Sequence, residues 1–210
     1  MSFQSLAFTP VVKQLQEQHG SRRQYERVEA RATDEGLGDF EREFLADRDS
    51  FYMATVSETG WPYVQHRGGP KGFLKVIDNH TLAMADFGGN KQYISTGNLL
   101  TNDRVALILV DYPRQARMKI LGHIEVLEGA KAADWLDKVR VDGYKATIER
   151  VYLIHVEGFD WNCPQHITPR YTAEEIRTAV QSIEARLEAS EKENASLRAE
   201  LAQLRAVSHS

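Results

Sequence analysis

Residues 51–67, FYMATVSETGWPYVQHR, and residues 72–87, GFLKVIDNHTLAMADF, decide the fold. Each reads as two short strands joined by a tight turn. In the first, Glu58-Thr59-Gly60 supplies a turn with glycine, the residue that tolerates positive φ. In the second, the polar trio Asp78-Asn79-His80 breaks the apolar run. Two consecutive hairpins predict an antiparallel sheet.

The segments around them extend that sheet. Residues 104–112, RVALILVDY, read as a buried strand, and 116–129 and 147–161 as further strands. Between them, residues 89–103 predict a short helix or helical loop, and 130–143 a helix stopped by Gly143. Upstream, Pro10 opens a polar helix with a break at Gly20. Asp39 is expected to cap a helix carrying Phe40, Phe44 and Leu45 on one face. Six or seven strands in mostly hairpin order, with helical inserts, predict a mainly β (α+β) antiparallel barrel.

The 210 residues suffice for one such domain and an appendage. With 26 Lys and Arg against 30 Asp and Glu, a net charge of −4 gives no general attraction for nucleic acid or anionic membrane. Any anion must be held by a local cation cluster. One cysteine, Cys163, excludes an intrachain disulfide and a multi-cysteine zinc site. Seven histidines without metal-ligand spacing give no metal site. No basic region followed by a long apolar run opens the chain, and no stretch approaches the ~20 apolar residues of a membrane span. A cytoplasmic protein is expected.

From Ile176 onward the pattern turns strict. Val180, Leu187, Asn194 and Leu201 fall at a positions, and Ile176, Ile183, Ser190, Leu197 and Leu204 at d. An apolar repeat of 3.5 residues is the signature of a coiled coil. The g-to-e pairs of a parallel dimer, Arg186–Glu191, Glu193–Arg198 and Glu200–Arg205, are all opposite in sign. Asn194 at an a position favours two parallel strands. A single amphipathic helix lying on its own barrel, or an antiparallel pair, is the competing arrangement.

Four segments carry chemistry. QHRGGPKGFLK (65–75) gathers cations and glycines, and ADFGGNKQYIS (85–95) leads from an apolar strand into a helix start bearing Lys91. Both suit an anion, since glycine admits close approach and Arg, Lys and free N–H groups donate. RQARMKILG (114–122) adds Arg117 and Lys119 at alternate strand positions. GFDWNCPQHITPRYT (158–172) is dense in groups that stack or hydrogen-bond, held extended by two prolines. Taken singly, each is equally a solvated loop or strand edge. The chain lacks a Walker loop, HExxH, GxSxG and paired cysteines. That absence of a catalytic set suits chemistry carried by an organic cofactor.

At these residues the chain resembles the FMN-binding split-barrel family that includes pyridoxamine 5′-phosphate oxidase, over about residues 40–170. More narrowly, PYVQHRGGPKGFLKV and WNCPQHITPRYT look like an uncharacterised FMN-dependent branch. The resemblance implies a six-stranded antiparallel split β-barrel that dimerises, with FMN in clefts between subunits. It implies FMN contacts at Arg67, Lys75, Asn90, Lys91 and Arg117. It further implies that Trp161, Gln165 and Arg170 approach the flavin, with Trp161 and Arg170 coming from the partner subunit, and that His166 stands near its reacting edge. The substrate-phosphate residues of the vitamin oxidase have no counterpart in residues 130–147, so the resemblance implies FMN rather than pyridoxamine-phosphate chemistry.

The expected organisation is an N-terminal helical extension (1–38), an FMN-binding split barrel (39–171) and a parallel dimeric coiled-coil helix (172–206). The expected function is that of a homodimeric FMN-dependent oxidoreductase acting on a small organic substrate. The alternative is a non-enzymatic flavin-binding or sensing module whose coiled coil mediates interactions.

Overall fold

The computed structural model describes residues 2–31, 36–162 and 165–207. Cys163 and Pro164, within the aromatic-rich segment singled out above, lie outside the described residues. The chain divides into two compact units, residues 1–167 and 168–210.

In the first unit, seven antiparallel strands form one curled sheet: β1 (Ser50–Val56), β2 (Pro62–Gly68), β3 (Leu74–Val76), β4 (Thr81–Phe87), β5 (Arg104–Asp111), β6 (Ala116–Leu127) and β7 (Ile148–Asn162). Their order is β2-β1-β5-β6-β7-β4-β3. The expected α+β class holds, but the closed six-stranded barrel is corrected to an open, seven-stranded half-barrel. Strand β3, the first arm of the second hairpin, has three residues and pairs with β4.

Both hairpins form where expected. Val56 pairs with Pro62, and Gly60, at φ 87°, takes the left-handed turn position. In the second, His80 N–H donates to the Asp78 carboxylate (2.8 Å), closing an Asx turn. The helices are α1 (Phe3–Ala7), α2 (Pro10–Gln18), α3 (Arg22–Arg31), α4 (Asp39–Ala46), α5 (Ile94–Thr101), α6 (Ala130–Ala133) and α7 (Leu136–Val139). Two differ from expectation. Gly38, not Asp39, is the N-cap of α4, with Glu41 accepting its N–H at 3.1 Å. The single helix expected over 130–143 is interrupted at Asp134-Trp135, where Trp135 N–H reaches back only three residues to Ala132 O.

Alternation divides the apolar residues between two faces. Phe51, Met53, Leu107, Leu109, Met118, Ile120, Tyr152 and Ile154 build the main core inside the curl with α4. Ala83, Ala85, Val151 and Leu153 face the other way, and Ala132 and Val139 of α6 and α7 cover them. Helix α1 seats on the β6–β7 pair. Lys119 there bridges to Asp160 (3.1 Å) and lies over the Phe3 ring (4.9 Å).

The second unit contains one long helix, α8 (Ala173–Val207). Thr172 caps it reciprocally: its hydroxyl accepts Glu175 N–H at 3.2 Å, and Glu175 accepts Thr172 N–H at 2.7 Å. The heptad segment is thus one continuous helix. A coil needs a second one.

Candidate functional site

The start of α5, the end of β4 and the inner side of β2 meet at a cleft of about 220 Å³. Strand alternation turns Tyr63, Gln65 and Arg67 of β2 inward, toward Asp86 of β4 and Arg150 of β7, which pair directly across the ladder. Asn90 and Lys91 line the same cleft. The Asn90 carboxamide accepts Gln92 N–H (3.2 Å), and Lys91 and Tyr93 take left-handed backbone conformations at φ 58° and 53°. No side chain caps α5. The first N–H groups of a helix lack intrahelical partners, so an uncapped start is an anion-friendly end.

Below the cleft lies a buried polar network. Asp86 accepts from Arg67 Nη1 at 2.5 Å and from Arg150 Nη1 at 2.6 Å. The Tyr152 hydroxyl donates to Asp86 at 3.3 Å and stands 2.7 Å from the Thr96 hydroxyl. Ser95 donates to Gln65 (2.7 Å), and Asn98 to Thr55 (2.9 Å). Burial works against the Arg150 charge, but hydrogen bonds to Asp86 and Glu128 outweigh it and hold the guanidinium above its usual range. Burial, reinforced by the Asp86 carboxylate, pushes the Tyr152 phenol up. Tyr152 therefore stays protonated at neutral pH and acts as a donor.

The two arginines differ in what they have left to give. Arg150 also binds Glu128 (2.9 Å) and Glu149 (3.3 Å), so carboxylates surround it. Arg67 binds Asp86, and its Nε is buried without a partner. An unmatched buried donor costs about 1–3 kcal/mol, so Arg67 is the cation with an unmet need for an acceptor.

Among the expected site residues, Arg67, Asn90 and Lys91 come together here. Lys75 pairs with Ala83, and direct cross-strand partners share a face. It therefore stands on the α7-covered side of the sheet, away from the cleft. Arg117 follows Ala116 on β6 and points opposite to buried Met118; its Nε is also buried without a partner. Trp161 packs on Phe44 (4.7 Å between centroids) and Phe40 (5.0 Å), and its indole N–H donates to Glu41 at 2.9 Å. Gln165 and His166 occupy an exposed turn, with His166 at φ 66°. Gln115 holds the start of that region by donating to Ile167 O at 2.6 Å. Arg170 belongs to the second unit.

Asp86, Arg150, Tyr152, Ser95 and Thr96 were not singled out from sequence. A signal existed in part: Asp86 interrupts the apolar run LAMADF, and Arg150 and Tyr152 occupy alternate positions of one strand. Buried polar residues in strands need partners. Among the described residues, no group of three or more His, Cys, Asp or Glu could hold a metal ion. No helix among them is long and apolar enough to cross a membrane.

The half-barrel of this α+β protein thus sets an uncapped helix start and two arginines around one cleft. Residues 37–157, more than half of the chain, match the pyridoxamine 5′-phosphate oxidase family model, and the chain belongs to that family. No curated protein matches it significantly. Among solved structures, it is similar to Group A Streptococcus HupZ (19% identity, 64% of this chain and 100% of that one, TM-score 0.46). It is also similar to an FMN-binding protein from Syntrophomonas wolfei (14%, 70% and 97%, TM-score 0.43). A third is a Clostridium acetobutylicum protein related to general stress protein 26 of the pyridoxinephosphate oxidase family (16%, 64% and 92%, TM-score 0.42).

Proposed function

We propose that this protein binds FMN and works as a homodimeric, FMN-dependent oxidoreductase on a small organic substrate. One observation carries the reading: Arg67, with its buried and unpartnered Nε, shares a cleft with Lys91 and the uncapped start of α5. A phosphate monoester fits that donor set, because its oxygens accept several charge-assisted bonds at once. Family membership makes a phosphorylated flavin the natural ligand. Bound FMN supplies two-electron redox chemistry that no side chain offers. The chain's own residues hold and orient it: Arg67 and Lys91 neutralise the phosphate, Asn90 fixes the loop carrying Lys91, and Asp86 fixes Arg67.

The remaining site residues follow from the family resemblance. In this proposal Lys75, Arg117, Trp161, Gln165 and Arg170 contribute to flavin contacts across a dimer, and His166 stands near the reacting edge. The residues after 171 form a coiled coil that reinforces the dimer. Such an assembly is expected in the cytoplasm.

The test is the spectrum of the purified protein. A flavin band bleached by reductant and restored by air, with FMN released on heating, supports the proposal. Protein that stays colourless after FMN addition overturns it.

The long helix favours a second reading, a flavin-binding or sensing module that signals through α8. Tight FMN binding without turnover across a panel of electron donors would select it.

A further inference from the structure

Helix α8 carries an exposed apolar stripe. Ile176, Val180, Ile183, Leu187, Leu197, Leu201 and Leu204 are 44–67% exposed along one continuous helix. Leaving seven large apolar side chains in water is unfavourable, and a partner that covers them removes that cost. The stripe is narrow, which suits another helix rather than a flat surface.

We infer that α8 docks on a second copy of itself, parallel and in register, because charge and polar layers together favour that arrangement over the antiparallel one. The inference rests on the dimeric reading above and adds orientation to it. In the parallel arrangement, each g residue faces the e residue five positions on in the partner. Arg186–Glu191, Glu193–Arg198 and Glu200–Arg205 are then all attractive, and no like pair arises.

The polar layers decide what an antiparallel pair would look like. Ser190 and Asn194 occupy adjacent core positions, and the Asn194 amide donates to Ser190 O at 2.9 Å within its own helix. An antiparallel pair places a against d, so Asn194 must face Ser190 of the second copy to keep polar groups off leucines. That register sets g against g and e against e. Glu193 then faces its twin, Glu191 faces its twin and Arg177 faces Arg205, which cancels the attraction of the Arg186–Glu200 and Glu184–Arg198 pairs. Like charges this close are destabilising. Sliding by a heptad in either direction still leaves like pairs (Glu193–Glu200, or Glu184–Glu191 and Arg177–Arg198) and sets Asn194 against Leu197 or Ile183, which leaves an amide unmatched. Parallel pairing alone satisfies both charge and polarity, with Asn194 against Asn194.

Cross-linking in the full-length protein tests this. In a Cys163→Ser background, Val180→Cys and Leu204→Cys chains are made separately and also mixed, with one chain tagged. Parallel pairing predicts disulfide-linked homodimers of each variant and no tagged–untagged mixed link between the two positions. Links that form only in the mixture, 180 to 204, overturn the orientation while leaving the dimer intact. No link in any arm, with a monomer in sedimentation, overturns the dimeric reading itself.

Discussion

Arg67 Nη1 lies 2.5 Å from the Asp86 carboxylate, which joins β2 to β4 across the interior of the curl. These strands are not neighbours in the sheet. Because Arg150 Nη1 grips the other oxygen of the same carboxylate, Asp86 is the pivot of the polar network. It sets where Arg67 ends and what Arg67 has left for a ligand.

Removing that pivot should be severe. Asp86→Ala leaves two guanidiniums buried without their common partner, and breaking a buried ion pair costs about 3–5 kcal/mol. Urea unfolding should show a loss of that size. A loss below about 1 kcal/mol would mean that water or the other carboxylates already neutralise the arginines.

Tyr152 titration gives a pH test. Burial raises its folded pKa above the ordinary tyrosine value of about 10, so the native state keeps a proton that the unfolded chain gives up. Its stabilising contribution is full below pH 10 and falls as pH rises toward the folded pKa. Of the eight tyrosines, Tyr152 should ionise last in a 295-nm absorbance titration, together with loss of tertiary structure. A phenylalanine variant showing the same alkaline midpoint would contradict this.

Two glycines separate packing from conformational freedom. A Cβ on Gly122 would lie 2.2 Å from His155 O, a backbone atom, whereas Gly97 in α5 has nothing within 4 Å. Gly122→Ala must shift β6 against β7 and should destabilise by about 1–3 kcal/mol or more. Gly97→Ala should stabilise by up to about 1 kcal/mol through helix propensity. Thermal unfolding of both variants checks the contrast, and equal effects would refute it.

Truncation after Tyr171 addresses the division of the chain. Residues 1–167 form a compact unit by themselves, so the truncated protein should still unfold cooperatively, at a urea midpoint lowered only by the dimer and FMN binding it loses. Its self-association and FMN retention should weaken. Unchanged retention would separate α8 from the flavin site.

Much of this was legible in local pattern. The hairpin at Glu58-Thr59-Gly60 and the turn at Asp78-Asn79-His80 are short-range events set by turn chemistry. The register of α8 shows because heptads are periodic. Arg67 and Lys91 were marked by charge beside glycine and Asn90 through the resemblance, and all three share the cleft. The network beneath them was not legible, because Asp86 meets Arg150 only through the β4–β7 ladder, some sixty residues apart in sequence. Strand β3 was legible as the first arm of the second hairpin, though only its three residues Leu74–Val76 pair with β4. Trp161 was marked through the resemblance as a flavin neighbour, while its packing on Phe40 and Phe44 depends on where α4 lands. Charge and periodicity reveal local features; convergence of distant strands needs the fold.

The central claim is that the Arg67–Lys91 cleft holds the phosphate of a flavin. Titrating the apoprotein with FMN and with riboflavin, for wild type and Arg67→Ala, tests it most directly. A charge-assisted contact contributes about 1.5–3 kcal/mol, or roughly 10–100-fold in affinity. The account predicts that wild type prefers FMN over riboflavin by at least that factor, and that Arg67→Ala loses the preference while keeping its fold by circular dichroism. Equal affinity of wild type for both flavins, or for neither, would contradict it.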